Sequence, residues 1–301
     1  MNFPRTPAWV VVAIWLIGGS LQGADFRVMT WDLEDAYPPG KAAVLAKAVK
    51  KHKVDILALQ SVQTTGTRFH QVIQNEIDKV FGKGVYRHAA TTGSRFDGNA
   101  IFWNTRTIQV AGIDEDASLK RASSYQRQAQ IVRAKAGSFD FVFVNVNLEV
   151  GVEEGEAAQV KQASILRSLL KKIEGRGAVQ PLILAGNLQM SFPGEKVYDD
   201  LTDDFDVETN PAFQQLNTDD FLKFCTREVA RKNPRVFSSI GNLLENGRLT
   251  DHIAANASAW KYYVKASAEV VRIDKEFYDS LEDYEWNFSD HLPVMAEFKT
   301  R

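Results

Sequence analysis

Six short apolar runs in this chain meet polar side chains, and the types of those side chains define the chemistry on offer. Asp32 ends "VMTW", Ser61 follows "ILALQ", and Asn147 sits in "FVFVNVNLE". Asn187 and Gln189 end "LILAG", Asp251 and His252 open "TDHIAA", and Ser289, Asp290 and His291 precede "LPVMAEF". A histidine with a carboxylate at its ring is a proton-transfer pair. The carboxylate fixes the tautomer, and the second ring nitrogen gives or takes a proton. Among these positions His252 and His291 are the histidines, and Asp32, Asp251 and Asp290 the carboxylates. The stretch "PLILAGNLQM" breaks the pattern. It delivers two amides to the end of a buried strand, and amides neither carry a proton nor hold a cation strongly. A purely structural alternative stands beside the catalytic one. Asp251 and His291 would tie two strands together as a buried hydrogen-bonded pair, and Asn187 and Gln189 would satisfy backbone groups.

The elements that must position these residues follow from hydrophobic periodicity. "FRVMTW" reads as a strand, "GKAAVLAKAVKKH" as a helix with Val44, Leu45, Ala48 and Val49 on one face, and "VDILALQ" as a second strand. A second helix fits Arg68 to Phe81, with Phe69, Val72, Ile73, Ile77 and Val80 inward, and a third fits Glu156 to Ile173. Between and after them lie short β-like runs: "VYRHAA", "NAIFWN", "IQVAGI", "AQIVRAK", "FDFVFVNVNLE", "PLILAGN", "RLTDHIAAN", "KYYVKASAEVVRI" and "HLPVMAEF". Asp199 to Glu208 is acid-rich and reads as a solvated loop. Helices interleaved with many strands, some of them hairpin-like, predict an α/β fold of two packed sheets with helices outside. Strand ends at one rim of such a sheet are where ligand sites collect.

Composition sets the outer bounds. The chain has 301 residues, 45% hydrophobic and 25% charged, with a net charge of -2. That charge argues against a partner held by bulk positive charge, such as nucleic acid, and leaves a local basic groove open. Arg121, Tyr125, Arg127 and Arg133 are read as a solvated edge. Arg5 followed by "AWVVVAIWLI" and "GGSLQGA" has the pattern of an export signal, with residue 24 as the last removed. The apolar run is short for a bilayer span, which needs roughly 20 residues. Residues 25–301 are then expected to form a single domain of an exported protein, periplasmic or secreted, or anchored if the signal stays uncleaved. Cys225 is the only cysteine, so it reads as a packed hydrophobe without a disulfide partner. Asn256 and Asn287 stand in glycosylation sequons.

Taken together, "MTWDLE", "DILALQSV", "GNAIFWN", "VNVNLE", "ILAGNLQ", "LTDHIAAN" and "SDHLPV" resemble the successive motifs of the endonuclease/exonuclease/phosphatase superfamily. The resemblance spans nearly all of the chain after residue 24. It implies a four-layer sandwich of two mixed β-sheets packed face to face and flanked by helices. It also implies Mg²⁺-assisted hydrolysis of phosphate esters. Carried over by residue, Asp290 matches the metal-linked aspartate, His291 the catalytic histidine and Asp251 the aspartate that orients it. The other positions depart from the pattern. Asp32 stands where an asparagine of the metal site is usual, and Ser61 where the principal metal-binding glutamate belongs. Asn147 replaces a histidine, Asn187 the aspartate of the "GDFN"-like turn, and Gln189 its asparagine.

These departures imply a net loss of one negative charge near the cation, so Mg²⁺ or Mn²⁺ would bind weakly or at a displaced site around Asp32 and Asp290. The expectation is an exported superfamily-like protein with impaired catalysis, whose cleft takes a phosphate ester or a protein ligand. The alternative is an active divalent-metal phosphodiesterase or phosphatase rebuilt on Asp32, Asp251, Asp290 and His291. A further carboxylate near Asp290, such as Glu34 or Glu149, would favour that alternative.

Overall fold

The computed structural model describes residues 25–33, 39–66, 68–92, 98–121, 128–148, 155–175, 179–190, 196–197, 205–206, 210–233, 236–240 and 248–300. The elements run β1 (Phe26–Asp32), α1 (Pro39–His52), β2 (Ile56–Val62), α2 (Phe69–Phe81), β3 (Tyr86–Ala90), β4 (Gly98–Asn104), β5 (Gln109–Asp116), β6 (Ala129–Ala136), β7 (Phe139–Asn147) and α3 (Gly155–Glu174). They continue with β8 (Leu182–Asn187), β9 (Lys196–Val197), β10 (Phe205–Asp206), α4 (Pro211–Leu216), β11 (Leu222–Phe224), α5 (Arg227–Lys232), β12 (Asp251–Asn256) and α6 (Ala257–Trp260). β13 (Glu269–Val270), α7 (Ile273–Phe277), α8 (Leu281–Asn287) and β14 (Val294–Phe298) complete the described chain. One six-stranded sheet has the order β13-β14-β1-β2-β4-β3, and the other β11-β12-β8-β7-β6-β5. β1 pairs with β2, and β7 with β8, in parallel; the remaining pairs in both sheets are antiparallel. This is the expected sandwich of two mixed sheets.

Strand parity decides which side chains reach the space between the sheets. In β1, Phe26 and Val28 enter the core shared by the two sheets, whereas Met29 and Trp31 join the layer under α1 and α2. Thr30 and Asp32 share the parity of Phe26 and Val28, so β1 aims Asp32 at the opposite sheet. β2 sorts the same way, with Ile56 and Ala58 inward and Leu57 and Leu59 toward the helices. Regular alternation would then turn Ser61 toward the helices. It does not, because the β2–β4 register shifts between Leu59 and Val62, and Ser61 takes a positive φ of 53°. This bulge swings Ser61 to the inner face. α3 covers the other sheet with buried Ala163, Leu166 and Leu170.

A buried polar layer crosses the core just inside the strand ends that carry Asp32, Ser61 and Asn147. Gln60 Nε2 donates to Asn145 Oδ1 (2.7 Å) and to Thr30 Oγ1 (3.0 Å). Asn145 Nδ2 donates to the Leu59 carbonyl at 3.1 Å. The satisfied amides join β1 and β2 to β7 and fix how the sheets align.

Differences from the sequence expectations gather after residue 210. "KYYVKASAEVVRI" reads as a strand but supplies only β13, the rest being turns with one bridge from Tyr263 to Phe298. The short helices α4 to α8 went unpredicted. α2 begins at Phe69, because Arg68 has a left-handed φ of 47°. Cys225 is buried and free, as a packed hydrophobe should be. Among the described residues no helix is long and apolar enough to cross a membrane, and the export-signal segment lies outside them.

Candidate functional site

The two parallel strand pairs bring their C-terminal ends to one edge of the sandwich. β7 and β8 place Asn147 beside Asn187, and β8 with β12 places Asn187 beside Asp251. β1 delivers Asp32 from the facing sheet. The result is a buried cluster across the seam. Asp32 Oδ2 accepts from Asn187 Nδ2 at 2.8 Å and from Asn147 Nδ2 at 3.1 Å. Asn147 Nδ2 also donates to Ser61 Oγ at 3.1 Å.

The orientation of Asn187 follows from its other end. Its Oδ1 accepts the backbone N–H of Gln189 at 3.0 Å, so only Nδ2 can face Asp32. Gln189 thus enters the cluster through its backbone. Its φ is 51°, and its carbonyl accepts from Gln159 Nε2 on α3 at 2.6 Å. Nothing in the sequence pattern singled out Gln159.

The second half of the site is the His291–Asp251 pair. His291 Nδ1 lies 2.7 Å from Asp251 Oδ2, and both side chains are buried. Burial alone would lower the His291 pKa. The charge and hydrogen bond of Asp251 outweigh it, with Asp290 and Asp32 adding to the pull, so the imidazole is raised well above its ordinary 6.5. On the other side of the ring, Nε2 lies 3.7 Å from Asp290 Oδ1, a buried oxygen that makes no hydrogen bond among the described residues.

Ser289, already singled out in the sequence, and Ser238, Trp31 and Tyr284, which were not, hold this pair in place. Ser238 Oγ accepts the N–H groups of Thr250 (3.0 Å) and Asp251 (2.9 Å). Ser289 Oγ donates to the Asp32 carbonyl at 2.8 Å and accepts the His291 N–H at 3.0 Å, which couples the two halves of the site. Trp31 Nε1–H (3.0 Å) and the Tyr284 hydroxyl both donate to the His291 carbonyl.

His252, next to Asp251, faces away from the site. Its Nε2–H donates to the Met190 carbonyl at 2.6 Å, so the neutral ring accepts at Nδ1 from the Thr226 hydroxyl at 2.9 Å. Burial lowers its pKa to about 4. A histidine whose folded pKa lies below its unfolded value stabilises the fold above pH 6.5, and that contribution is lost as pH falls toward 4. The loss across this window is about 3 kcal/mol. We predict that His252→Gln flattens the acid limb of stability, measured by urea unfolding between pH 7 and 4. An unchanged slope would assign that limb to other groups.

Among the described residues no group of three or more His, Cys, Asp and Glu side chains gathers to hold a metal ion. The chemistry of the cluster agrees. Asp32 Oδ2 already accepts two amide N–H groups, Asn187 presents a donor where a cation needs an acceptor, and Ser61 offers a hydroxyl. This donor set does not fit a hard divalent cation, which is held by carboxylate and carbonyl oxygens. Glu34 and Glu149 lie outside the described residues, as do Tyr125, Arg127 and the side chain of Arg121. Arg133 pairs with Asp114 at 2.7 Å on a solvent-exposed edge. Of the two sequons, Asn256 is buried and its Nδ2 donates to Glu174 and Gln180, so no glycan fits there in the fold; Asn287 is exposed.

No family model and no curated protein sequence matches the chain. Solved structures do. Truncated TDP2 from Caenorhabditis elegans superposes with a TM-score of 0.66 at 17% identity, covering 92% of this chain and 98% of that one. D. rerio TDP2 complexed with a single-strand DNA product gives 0.67 at 12%, covering 92% and 100%. The mannosyl-6-phosphatase Bt3783 of Bacteroides thetaiotaomicron gives 0.61 at 17%, covering 92% and 100%. An endonuclease/exonuclease/phosphatase family protein of the same bacterium gives 0.62 at 17%, covering 93% and 96%. The chain has the four-layer α/β fold of the endonuclease/exonuclease/phosphatase superfamily.

Proposed function

We propose that this chain is an exported, catalytically impaired relative of the phosphoesterases, whose cleft binds a phosphate ester or a protein ligand without turning it over efficiently. The observation that carries this reading is Asn187. Its amide donates to Asp32 and is locked there by the Gln189 N–H. An amide at the position of the acid cannot accept a proton from an attacking water. The loss of a general base typically costs ~10²–10⁴-fold in rate. The Asp251–His291 pair keeps one capacity, to hold or move a proton at Nε2, and its cationic form suits a phosphate oxygen. The phosphate-ester class is supported by the mannosyl-6-phosphatase and the DNA-product complex among the structural neighbours. Export is supported by the charged, apolar and small-residue sequence of residues 5–24.

The test is hydrolysis of a generic phosphodiester and a phosphomonoester by residues 25–301, with Mg²⁺ or Mn²⁺. His291→Gln and the pair Ser61→Glu with Asn187→Asp run alongside. The expected result is turnover at the His291→Gln background in the natural sequence, and turnover above it in the restored pair. Metal-dependent turnover by the natural sequence that disappears in His291→Gln would overturn the impaired reading. It would support the rebuilt site on Asp32, Asp251, Asp290 and His291.

A further inference from the structure

The seam between the two sheets holds one carboxylate between two amides, and these come from opposite sheets. Asp32 is buried at the end of β1, and Asn147 and Asn187 reach it from β7 and β8. A buried carboxylate needs its charge answered by a cation or by strong donors. Here two N–H donors converge on one oxygen, Asn147 is further bonded to Ser61, and Asn187 cannot turn because its oxygen is held by Gln189. The Ser289 hydroxyl bonds the Asp32 carbonyl, fixing the same residue from behind.

We infer that Asn147 and Asn187 do at this seam the cross-linking work of a divalent cation and answer the Asp32 carboxylate with N–H donors, so that the seam assembles and stays closed to such ions without a metal. This deepens the proposed function, because it rests on the reading that the cleft has left metal chemistry. The Asp32–Asn187 contact then needs one acid and one amide; exchanging the two restores that hydrogen bond but sets a donor opposite Asn147 Nδ2, which bonds the same Asp32 oxygen. Two carboxylates 2.8 Å apart repel and call for a cation, and two amides leave the donors without their anion.

The test uses the full chain as the natural sequence, Asn187→Asp, Asp32→Asn and the double exchange, each melted in EDTA and in excess Mn²⁺. Mn²⁺ binding is followed separately by electron paramagnetic resonance. The natural sequence is expected to melt at one temperature in both solutions and to leave the Mn²⁺ signal free. Asn187→Asp should lose about 5 °C in EDTA and recover in Mn²⁺. Asp32→Asn should lose a similar amount in both, and the double exchange should regain part of the loss in EDTA, because it restores the contact between positions 32 and 187 while Asn147 loses its Asp32 acceptor.

A Mn²⁺-raised melting temperature or stoichiometric Mn²⁺ binding in the natural sequence would overturn the inference, even if Asn187→Asp fails to fold. So would losses in the two single variants that simply add in the double. Hydrolysis by the natural sequence in EDTA with silent Mn²⁺ titration would defeat the impaired-catalysis reading and leave this inference standing.

Discussion

His291→Ala is expected to destabilise the fold by about 3–5 kcal/mol at neutral pH, read as a lower urea midpoint at unchanged slope. The reason lies in what remains. Asp251 is fully buried, one of its oxygens makes no hydrogen bond among the described residues, and the other faces His291 at 2.7 Å with the Thr250 hydroxyl at 3.4 Å. Removing the ring strands the carboxylate in the core with one long contact. The double variant Asp251→Asn with His291→Gln removes both charges and keeps a hydrogen bond, so it should cost clearly less than the single one. The penalty also has a pH signature. The folded pKa of His291 lies above the unfolded value of 6.5. Its contribution is therefore fully present below pH 6.5 and is lost as pH rises through the folded pKa. The gap between the natural sequence and His291→Ala should narrow at alkaline pH. A cost below about 1 kcal/mol at pH 7, or a gap that widens with pH, would show that the pair is not charged and coupled as described.

The polar positions of this site were legible in the sequence because each borders an apolar run short enough to be a single strand. The parity of Phe26, Val28 and Asp32 even gives the inward face of β1. The direction of hydrogen bonding was not legible. Whether Asn187 faces Asp32 with nitrogen or oxygen depends on the Gln189 N–H, a backbone group brought round by a left-handed residue. Nor does the sequence announce the bulge that turns Ser61 inward, since serine has no special preference for a positive φ. The helices after residue 210 are four to seven residues long, too short for a 3.6-residue period to register. Their caps were the available signal. Asn210 before Pro211 caps α4 through the Phe213 N–H at 2.9 Å, and Ser280 caps α8 through the Asp283 N–H at 3.0 Å. α8 is the element that carries the chain into Ser289, Asp290 and His291, so reading that cap would have placed the site's last segment.

Gly186→Ala is expected to be the most damaging single methyl group in the molecule, with a loss above about 4 kcal/mol or failure to fold. Gly186 has a φ of 146°, which side chains rarely adopt, and an added Cβ would lie 1.9 Å from the Val146 carbonyl oxygen. That oxygen belongs to the neighbouring strand, so no side-chain rotation relieves the clash; β7 and β8 must separate. They separate where it matters, because the next residue on each strand is a cluster amide, Asn147 and Asn187. The glycine thus explains how two parallel strands come close enough for both amides to reach one oxygen of Asp32. A comparison with Gly84→Ala controls for the general strain of a positive φ, since Gly84 has a φ of 82° and open space around its missing Cβ. Gly84→Ala should cost about 1–2 kcal/mol from backbone strain alone. Equal losses in the two variants, measured by urea unfolding, would mean that the β7–β8 approach is softer than the geometry requires. Where the Gly186 variant still folds, amide exchange should quicken at Leu148, whose N–H bonds the Asn187 carbonyl, before it quickens in β1 or β2, because the strain enters at the β7–β8 ladder.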